Sequence, residues 1–421
     1  MKHRCRRTIR AAAHCSPCVP LPGASACHRP HRPCTDPRVA VVAIPAKNEA
    51  DRIGACLLAL ARQSRKPEAA VLLLNNCTDQ TEAVAHSLSA SLPFALYKIR
   101  HTFPRPTANA GNARRLAMQY AAELAGAGGV LLTTDADGVV AEDWIERALL
   151  AVSDGAELVC GRVEIDLTEA ALIPAHLHTD DALECELTEL VDQIACRLDP
   201  EPADPWPRHT EAAGASLAVT VAAFTRVGGV PAVASGEDRA FVDALARIDA
   251  RIRHDPTVRV TVSGRLNGRA PGGMADTIRR RICRQDEFTD DRLEPAMDAY
   301  RRAGVRRRVR ADWAAQQAGE TPYPALIARL GIPNLLYQRM LSVRHFGATW
   351  AKVQANTPFL TRRRVRFAEL PRQIADARKL LERRCAAVQS PIKHWCGSHT
   401  SITQRKKDMV ANEGCQGDIP G

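Results

Sequence analysis

The stretch Val130-Leu131-Leu132-Thr133-Thr134-Asp135-Ala136-Asp137-Gly138 decides how the chain is read. An apolar run that ends at once in two carboxylates and a glycine reads as a buried parallel strand delivering its last residues to a site. In an open α/β sheet, ligands bind beyond the carboxyl ends of the strands. Two aspartates one residue apart repel each other, and a divalent cation relieves that repulsion. Mg²⁺ and Mn²⁺ favour such hard oxygen ligands, with water and substrate phosphates completing the shell. The plain alternative is a strand-to-helix turn, with Asp137-Gly138 as turn residues and Asp135 as a cap.

Outward from this stretch the pattern repeats. Val39–Ile44 is a β-prone apolar run followed by the loop Pro45-Ala46-Lys47-Asn48-Glu49, and a helical pattern runs from Ala50 to about Gln63. Ala69–Leu74 predicts a second strand, closed by Asn75-Asn76-Cys77-Thr78-Asp79, and a helix follows to about Ser89. Phe94–Ile99 predicts a third strand, and Asn109-Ala110-Gly111-Asn112-Ala113-Arg114 opens a helix to Ala125. Glu142–Ser153 reads as a helix with Trp144 inward, Glu157–Ile165 as a strand, and Asp180–Leu198 as an acidic helix. Gly214–Val219 comes next. Ser235-Gly236-Glu237-Asp238 opens another helix, and Val258–Ser263 is a further strand. Strands alternating with helices imply βαβ units: an α/β, Rossmann-type, mostly parallel sheet flanked by helices.

Composition bounds the rest. The chain has 421 residues, 45% of them hydrophobic but only 4% aromatic, so its core must be built from Ala, Val, Leu and Ile. That length exceeds one typical domain. Four regions are expected. Residues 1–37 are rich in Arg, Cys, His and Pro, and read as a disordered basic leader or as a spurious start of the reading frame; Cys15, Cys18, His28 and His31 have zinc-ligand chemistry without finger spacing. Residues 38–276 form the α/β domain, 277–385 a basic α-helical region, and 386–421 a disordered tail. The fourteen cysteines are scattered and read as reduced thiols. No apolar run reaches the roughly 18 residues of a membrane span, and no signal-peptide core is evident, so the expected compartment is the cytoplasm. The net charge of +11 favours anionic partners. Its arginine runs, at Arg301-Arg302, Arg306-Arg307-Arg308 and Arg362-Arg363-Arg364, lack interleaved aromatics, so no nucleic-acid partner is expected. They suit either peripheral contact with an anionic membrane, at its inner face, or a protein partner; basic surface without a role is equally open.

The order of the motifs resembles inverting glycosyltransferases of family 2, which have the GT-A fold. The set comprises strand-Pro-x-x-Asn-Glu at Pro45–Glu49, Asn75-Asn76-x-Thr-Asp, the Asn109–Arg114 helix start, Asp135-x-Asp137 and Glu237-Asp238, spanning about Arg38 to Asp276. The resemblance implies a metal-dependent transfer of one sugar from a nucleotide-sugar donor to a hydroxyl acceptor, a glycan or a lipid-linked molecule of the cell envelope. It implies roles for particular residues. Pro45, Glu49, Asn75, Asn109, Asn112, Arg114 and Asp135 would hold the nucleotide sugar; Asp137, with Asp135, would hold Mg²⁺ or Mn²⁺; Asp238 would be the base, with Glu237 orienting it; Gly214, Ala215 and Ser216 would line the acceptor side. Each has a plainer reading as a helix cap, a turn or a small core residue.

Asn75 stands where the family usually has Asp. An amide matches uracil, with its one donor beside one acceptor, better than guanine with its two donors, so a UDP sugar is favoured. His254, Arg265 and Arg269 are candidates for a cationic clamp on the diphosphate, or simply solvated residues. His176, His178, Asp180, Asp181, Glu184 and Glu186 read as a solvated helix face rather than a second metal site. The absence of Gln-x-x-Arg-Trp after Glu237-Asp238 speaks against a processive synthase. Two other readings stay open: a catalytically inactive GT-A-like nucleotide-binding or scaffold protein, and a GT-A-like nucleotidyltransferase, although Pro45–Glu49 lacks the glycine-rich basic loop the latter needs.

Overall fold

The computed structural model describes residues 39–268, 273–284, 286–320 and 324–389. The leader and its Cys/His cluster, Arg269, and the tail beyond Gln389 lie outside the described residues. The chain opens with β1 (Ala40–Ala46), α1 (Ile53–Arg62), β2 (Ala69–Asn75), α2 (Thr81–Leu88) and β3 (Ala95–His101). Then come α3 (Ala110–Ala125), β4 (Val130–Thr133), β5 (Val139–Val140), α4 (Trp144–Ser153) and β6 (Leu158–Ile165). After α5 (Leu167–Ala170) and the long α6 (Ala175–Leu198), the chain returns through β7 (Leu217–Thr220), α7 (Val221–Arg226), α8 (Glu237–Arg247) and β8 (Ile252–Val262).

These strands make one eight-stranded sheet in the order β3-β2-β1-β4-β7-β6-β8-β5. β1 and β2 are buried along nearly their whole length, as continuous Ala/Val/Leu runs require when both faces are covered. Alternate side chains feed two cores. Val42, Ile44, Leu72, Leu132 and Trp144 belong to one, while Val41, Leu73, Leu131, Met118 and Phe241 belong to the other. Short side chains suffice because α3 packs alanines (Ala113, Ala117, Ala121) against β1 and β2.

The α/β class is as expected, but the sheet is mixed. β3, β2, β1 and β4 are parallel, whereas β7 runs antiparallel to both β4 and β6, and β5 runs antiparallel to β8. The α5–α6 excursion brings the chain back from the other direction, so β7 does not close a βαβ crossover. β8 also starts at Ile252 rather than Val258. Its polar first half pairs with Leu158–Gly161 of β6, a partnership that local hydrophobicity does not report. α6 likewise begins five residues before the expected Asp180.

Beyond the sheet, α9 (Met274–Cys283), α10 (Ala296–Gln317), α11 (Pro324–Leu330), α12 (Asn334–Leu341), α13 (Phe346–Ala355) and α14 (Leu370–Gln389) form the helical region. From Arg378 the chain counts as a separate unit, which contains the rest of α14. A third, smaller core of Val309, Leu330, Tyr337, Leu341, Phe346 and Val353 holds α10 to α13 together. The arginines of α10 do not all face outward as expected. Arg306 and Arg310 turn to Asp199 and Glu201 at the end of α6 and stack on Phe346, while Arg307 stays exposed. Cations that meet buried carboxylates are spent on packing rather than on a basic surface.

Ser216 corrects an expectation. It does not face an acceptor; it is fully buried, and its Oγ accepts a 2.9 Å hydrogen bond from the Trp144 indole Nε1. A β-carbon on Gly161 would stand 2.1 Å from that oxygen, so the neighbouring strand must be bare there. Removing the hydroxyl orphans a buried donor, which costs about 1–3 kcal/mol. Ser216→Ala should therefore lower the unfolding free energy by that amount in urea denaturation and leave ligand affinity unchanged.

Candidate functional site

The parallel strands end on one side of the sheet, and their C-terminal loops border a large open cavity of about 3220 Å³. Pro45, Glu49, Asn75, Asn109, Asp135 and Asp137 line it from the β1, β2 and β4 side; Gly214, Glu237 and Asp238 line it from the β7 and α8 side. Residues far apart in sequence thus share one cleft.

Arg114 joins the two sides. It sits on the second turn of α3 with its side chain 6% exposed. Its guanidinium donates to Thr133 Oγ1 (2.8 Å), the Gly214 carbonyl (2.7 Å), Asp135 Oδ1 (2.7 Å) and Glu237 Oε1 (3.2 Å). Burial opposes its charge, but Asp135 and then Glu237 hold its pKa above the ordinary value. This differs from a role at the nucleotide: the donors of Arg114 are directed to protein groups behind the cleft. Gly214 is explained by the same contact. A β-carbon there would lie 2.4 Å from the Arg114 Cζ, so the small residue makes room for the guanidinium rather than for an acceptor.

α8 enters through Gly236, whose φ of 69° is left-handed, and presents Glu237 and Asp238 in its first turn. Glu237 is nearly buried against Arg114. Asp238 is half-buried, its Oδ2 accepting from the Gly214 amide (3.0 Å) and its Oδ1 from the Arg239 amide (2.7 Å). Both oxygens keep a lone pair for another donor. Of the pair, Asp238 faces the cleft more freely, and Glu237 is held in place by Arg114.

On the other side, Asn75 ends β2. Its Nδ2 points to the Asn109 carbonyl at 3.4 Å, and its Oδ1 is buried without a partner. A buried acceptor without a donor is costly unless a ligand supplies one. Asn109 caps α3, its Oδ1 accepting from the Asn112 amide at 2.8 Å, and the Asn112 side chain bonds the Thr107 carbonyl at 3.0 Å. Both side chains are thus occupied in forming the helix start, while the Asn109 backbone orients Asn75.

Glu49 is buried and forms a two-pronged ion pair with Arg265, at 2.6 and 2.5 Å. Arg265 also reaches Asp137 Oδ2 at 3.2 Å. Burial, and then the neighbouring Asp135, push the Asp137 carboxyl up to about 6, against the pull of Arg265. No group of three or more His, Cys, Asp or Glu residues that could hold a metal occurs among the described residues. Asp135 and Asp137 still fit Mg²⁺ or Mn²⁺ as a partial ligand set. They are hard oxygen donors of like charge one residue apart, and substrate phosphates and water ordinarily complete such a shell.

His254 borders the same cavity but is engaged by its own cluster. Its Nδ1 is 2.8 Å from Asp204 Oδ2, within a cluster of Arg208, Arg253, Asp192 and His209. Burial would lower its pKa, but the Cys160 sulfur and the Asp204 carboxylate raise it to about 10. His209 is pushed down to about 4 by burial and by His254. His178 bonds the Ala170 carbonyl and Glu184 accepts from the Asp290 amide, so these α6 side chains serve packing. Sequence reasoning missed the Arg265–Glu49 pair, which joins residues 216 positions apart, and the inward role of Arg114. No local pattern signals either.

Residues 41–194 match the family model described as Glycosyl transferase family 2. No curated protein matches the chain. Among solved structures, a mannosyltransferase from Pyrobaculum calidifontis in complex with GDP-Man and Mn²⁺ is 17% identical, with 86% of this chain and 84% of that one covered and a TM-score of 0.39. The S. aureus TarS 1–349 structure in complex with UDP is 15% identical, with 75% and 90% covered and a TM-score of 0.38. At this degree of overlap neither assigns a substrate here.

Two outcomes follow from the buried charges. Arg114→Met leaves Glu237 buried without its cation, and should cost about 3–5 kcal/mol in chemical denaturation. His254 is charged in the folded chain well above its unfolded value of about 6.5. Its contribution is complete below that value and is lost as pH rises through about 10. The melting temperature of the native chain should fall between pH 7 and 10 by more than that of His254→Asn.

Proposed function

We propose that the chain, whose residues 41–194 match the model of glycosyl transferase family 2, carries out an inverting, metal-dependent transfer of a single sugar from a UDP-sugar to a hydroxyl acceptor. The observation that carries the proposal is Arg114, which couples Asp135 on the donor side to Glu237, and so to Asp238, on the facing side.

In this reading the unpartnered Asn75 Oδ1 accepts the N3–H of uracil. Its Nδ2 is turned to Asn109, so the residue offers the base an acceptor. A guanine edge, with two donors, would need a second acceptor. Glu49 accepts from the ribose hydroxyls. Asp135 and Asp137 would hold Mg²⁺ or Mn²⁺, which would supply positive charge to the diphosphate. Asp238 takes the proton of the acceptor hydroxyl. The acceptor oxygen then bonds the anomeric carbon from the face opposite the diphosphate. The bond from that carbon to the phosphate oxygen breaks, and UDP leaves with the electron pair. Attack from the opposite face inverts the configuration. Glu237 acts by position, because Arg114 sets the first turn of α8 against the Gly214 amide that anchors Asp238. The acceptor is a glycan or a lipid-linked molecule. No described helix is long and apolar enough to cross a membrane.

Binding raises the melting temperature by mass action. UDP with Mn²⁺ should shift it in the native chain and not in Asp137→Ala. A shift with GDP alone would keep the reaction and overturn the base assignment. No shift with any nucleotide would favour an inactive scaffold. Asp238→Asn should retain the UDP shift and lose about 10²–10⁴-fold in donor turnover, the usual contribution of a positioned base.

A further inference from the structure

Arg265 stands in the loop that follows β8. Its backbone amide donates to Ser263 Oγ at 3.2 Å, and that hydroxyl donates to Glu169 Oε2 at 2.7 Å, so the loop is anchored on α5. From there the guanidinium reaches across the cleft to three carboxylate oxygens, both of Glu49 and Oδ2 of Asp137. Arg114 neutralises Asp135 from behind, and Arg265 neutralises Glu49 and Asp137 from the cleft side.

We propose that Arg265 is the resident counter-cation of the donor site. It occupies the place beside Asp137 that a divalent cation takes, and on loading it moves from the carboxylates to the diphosphate. The proposal rests on the donor-site reading above and adds to it an exchange of cations. A guanidinium and a divalent ion cannot share one carboxylate oxygen without strong repulsion. Ribose hydroxyls that bond Glu49 compete for the same two oxygens. Both components of the donor complex therefore displace Arg265, and the diphosphate they bring is the anion that its planar fork pairs with best. The free chain keeps its acidic cleft neutral in this way, and metal binds poorly until nucleotide arrives to receive the arginine.

The test separates the two halves. Mn²⁺ binding to the full chain is measured by electron paramagnetic resonance without nucleotide, in the native protein, Arg265→Gln and Arg265→Lys. Removing the counter-cation should tighten Mn²⁺ binding about tenfold, and Lys should restore most of the native weakness. Equal or weaker Mn²⁺ affinity in Arg265→Gln overturns the counter-cation role. UDP affinity at saturating Mn²⁺, read by calorimetry, should fall about tenfold in Arg265→Gln. An unchanged or tighter UDP affinity overturns the transfer to the diphosphate. If the native chain itself binds no nucleoside diphosphate with Mn²⁺, the donor-site reading fails, while the nucleotide-free Mn²⁺ comparison still decides the place of Arg265.

Discussion

A single buried guanidinium, that of Arg114, sets the geometry on which the cleft depends. A charge taken out of water must have its donors matched and its sign balanced, and the surrounding chain supplies both. Thr133 and the Gly214 carbonyl take donors, and Asp135 and Glu237 balance the charge. These partners come from β4 and its loop, the segment before β7, and the first turn of α8. Apolar groups replacing the whole network, carboxylates included, would fill the space at little loss of stability. They would not hold a strand end and a helix start in register to a few tenths of an ångström. Gly214 is small for this reason, and α3 carries its arginine where it meets the end of β4.

The sheet divides the work along its length. The parallel half ends in the loops that carry Glu49, Asn75 and the Asp135–Asp137 pair. Next to β4, β7 runs the opposite way, and its return path brings Gly214 and α8 to face those loops. α8 is then held from behind by the helical region. Asp249 accepts from the Phe346 and Gly347 amides at the start of α13 (2.8 and 2.7 Å). Arg239 pairs with Asp290 and Asp291, and Arg292 with Asp243. Exposed pairs of this kind add little individually. Together with the cation–π stack of Arg310 on Phe346 they fix where the helix carrying Asp238 can sit.

Charge in the cleft is arranged in opposition. Asp137 is raised by burial and by Asp135, and Arg265 works against that shift. Asn75 keeps an acceptor without a partner. Both are states a folded chain holds at a cost, and a ligand bringing a donor to Asn75 and positive charge to Asp137 would relieve them.

The sequence by itself marked most elements of the sheet and their order, though not β5, α5 or the polar first half of β8. Continuous Val/Leu/Ala runs can only be strands covered on both faces, and Asn109, Gly236 and the Asp135–Gly138 turn mark helix starts and a strand end by local backbone chemistry. Those signals act over a few residues, so they survive in one dimension, and they sufficed to place Asp135, Asp137, Glu237 and Asp238 in order along the chain. Only the tertiary structure decided what the polar side chains touch. Ser216 lies under Trp144, Gly214 under Arg114, and the β8 strand finds β6 through its polar half. Arg265 reaches Glu49 across more than two hundred residues. A hydrogen bond or an ion pair depends on distance and direction in space, and neither is encoded by the spacing of residues along the chain.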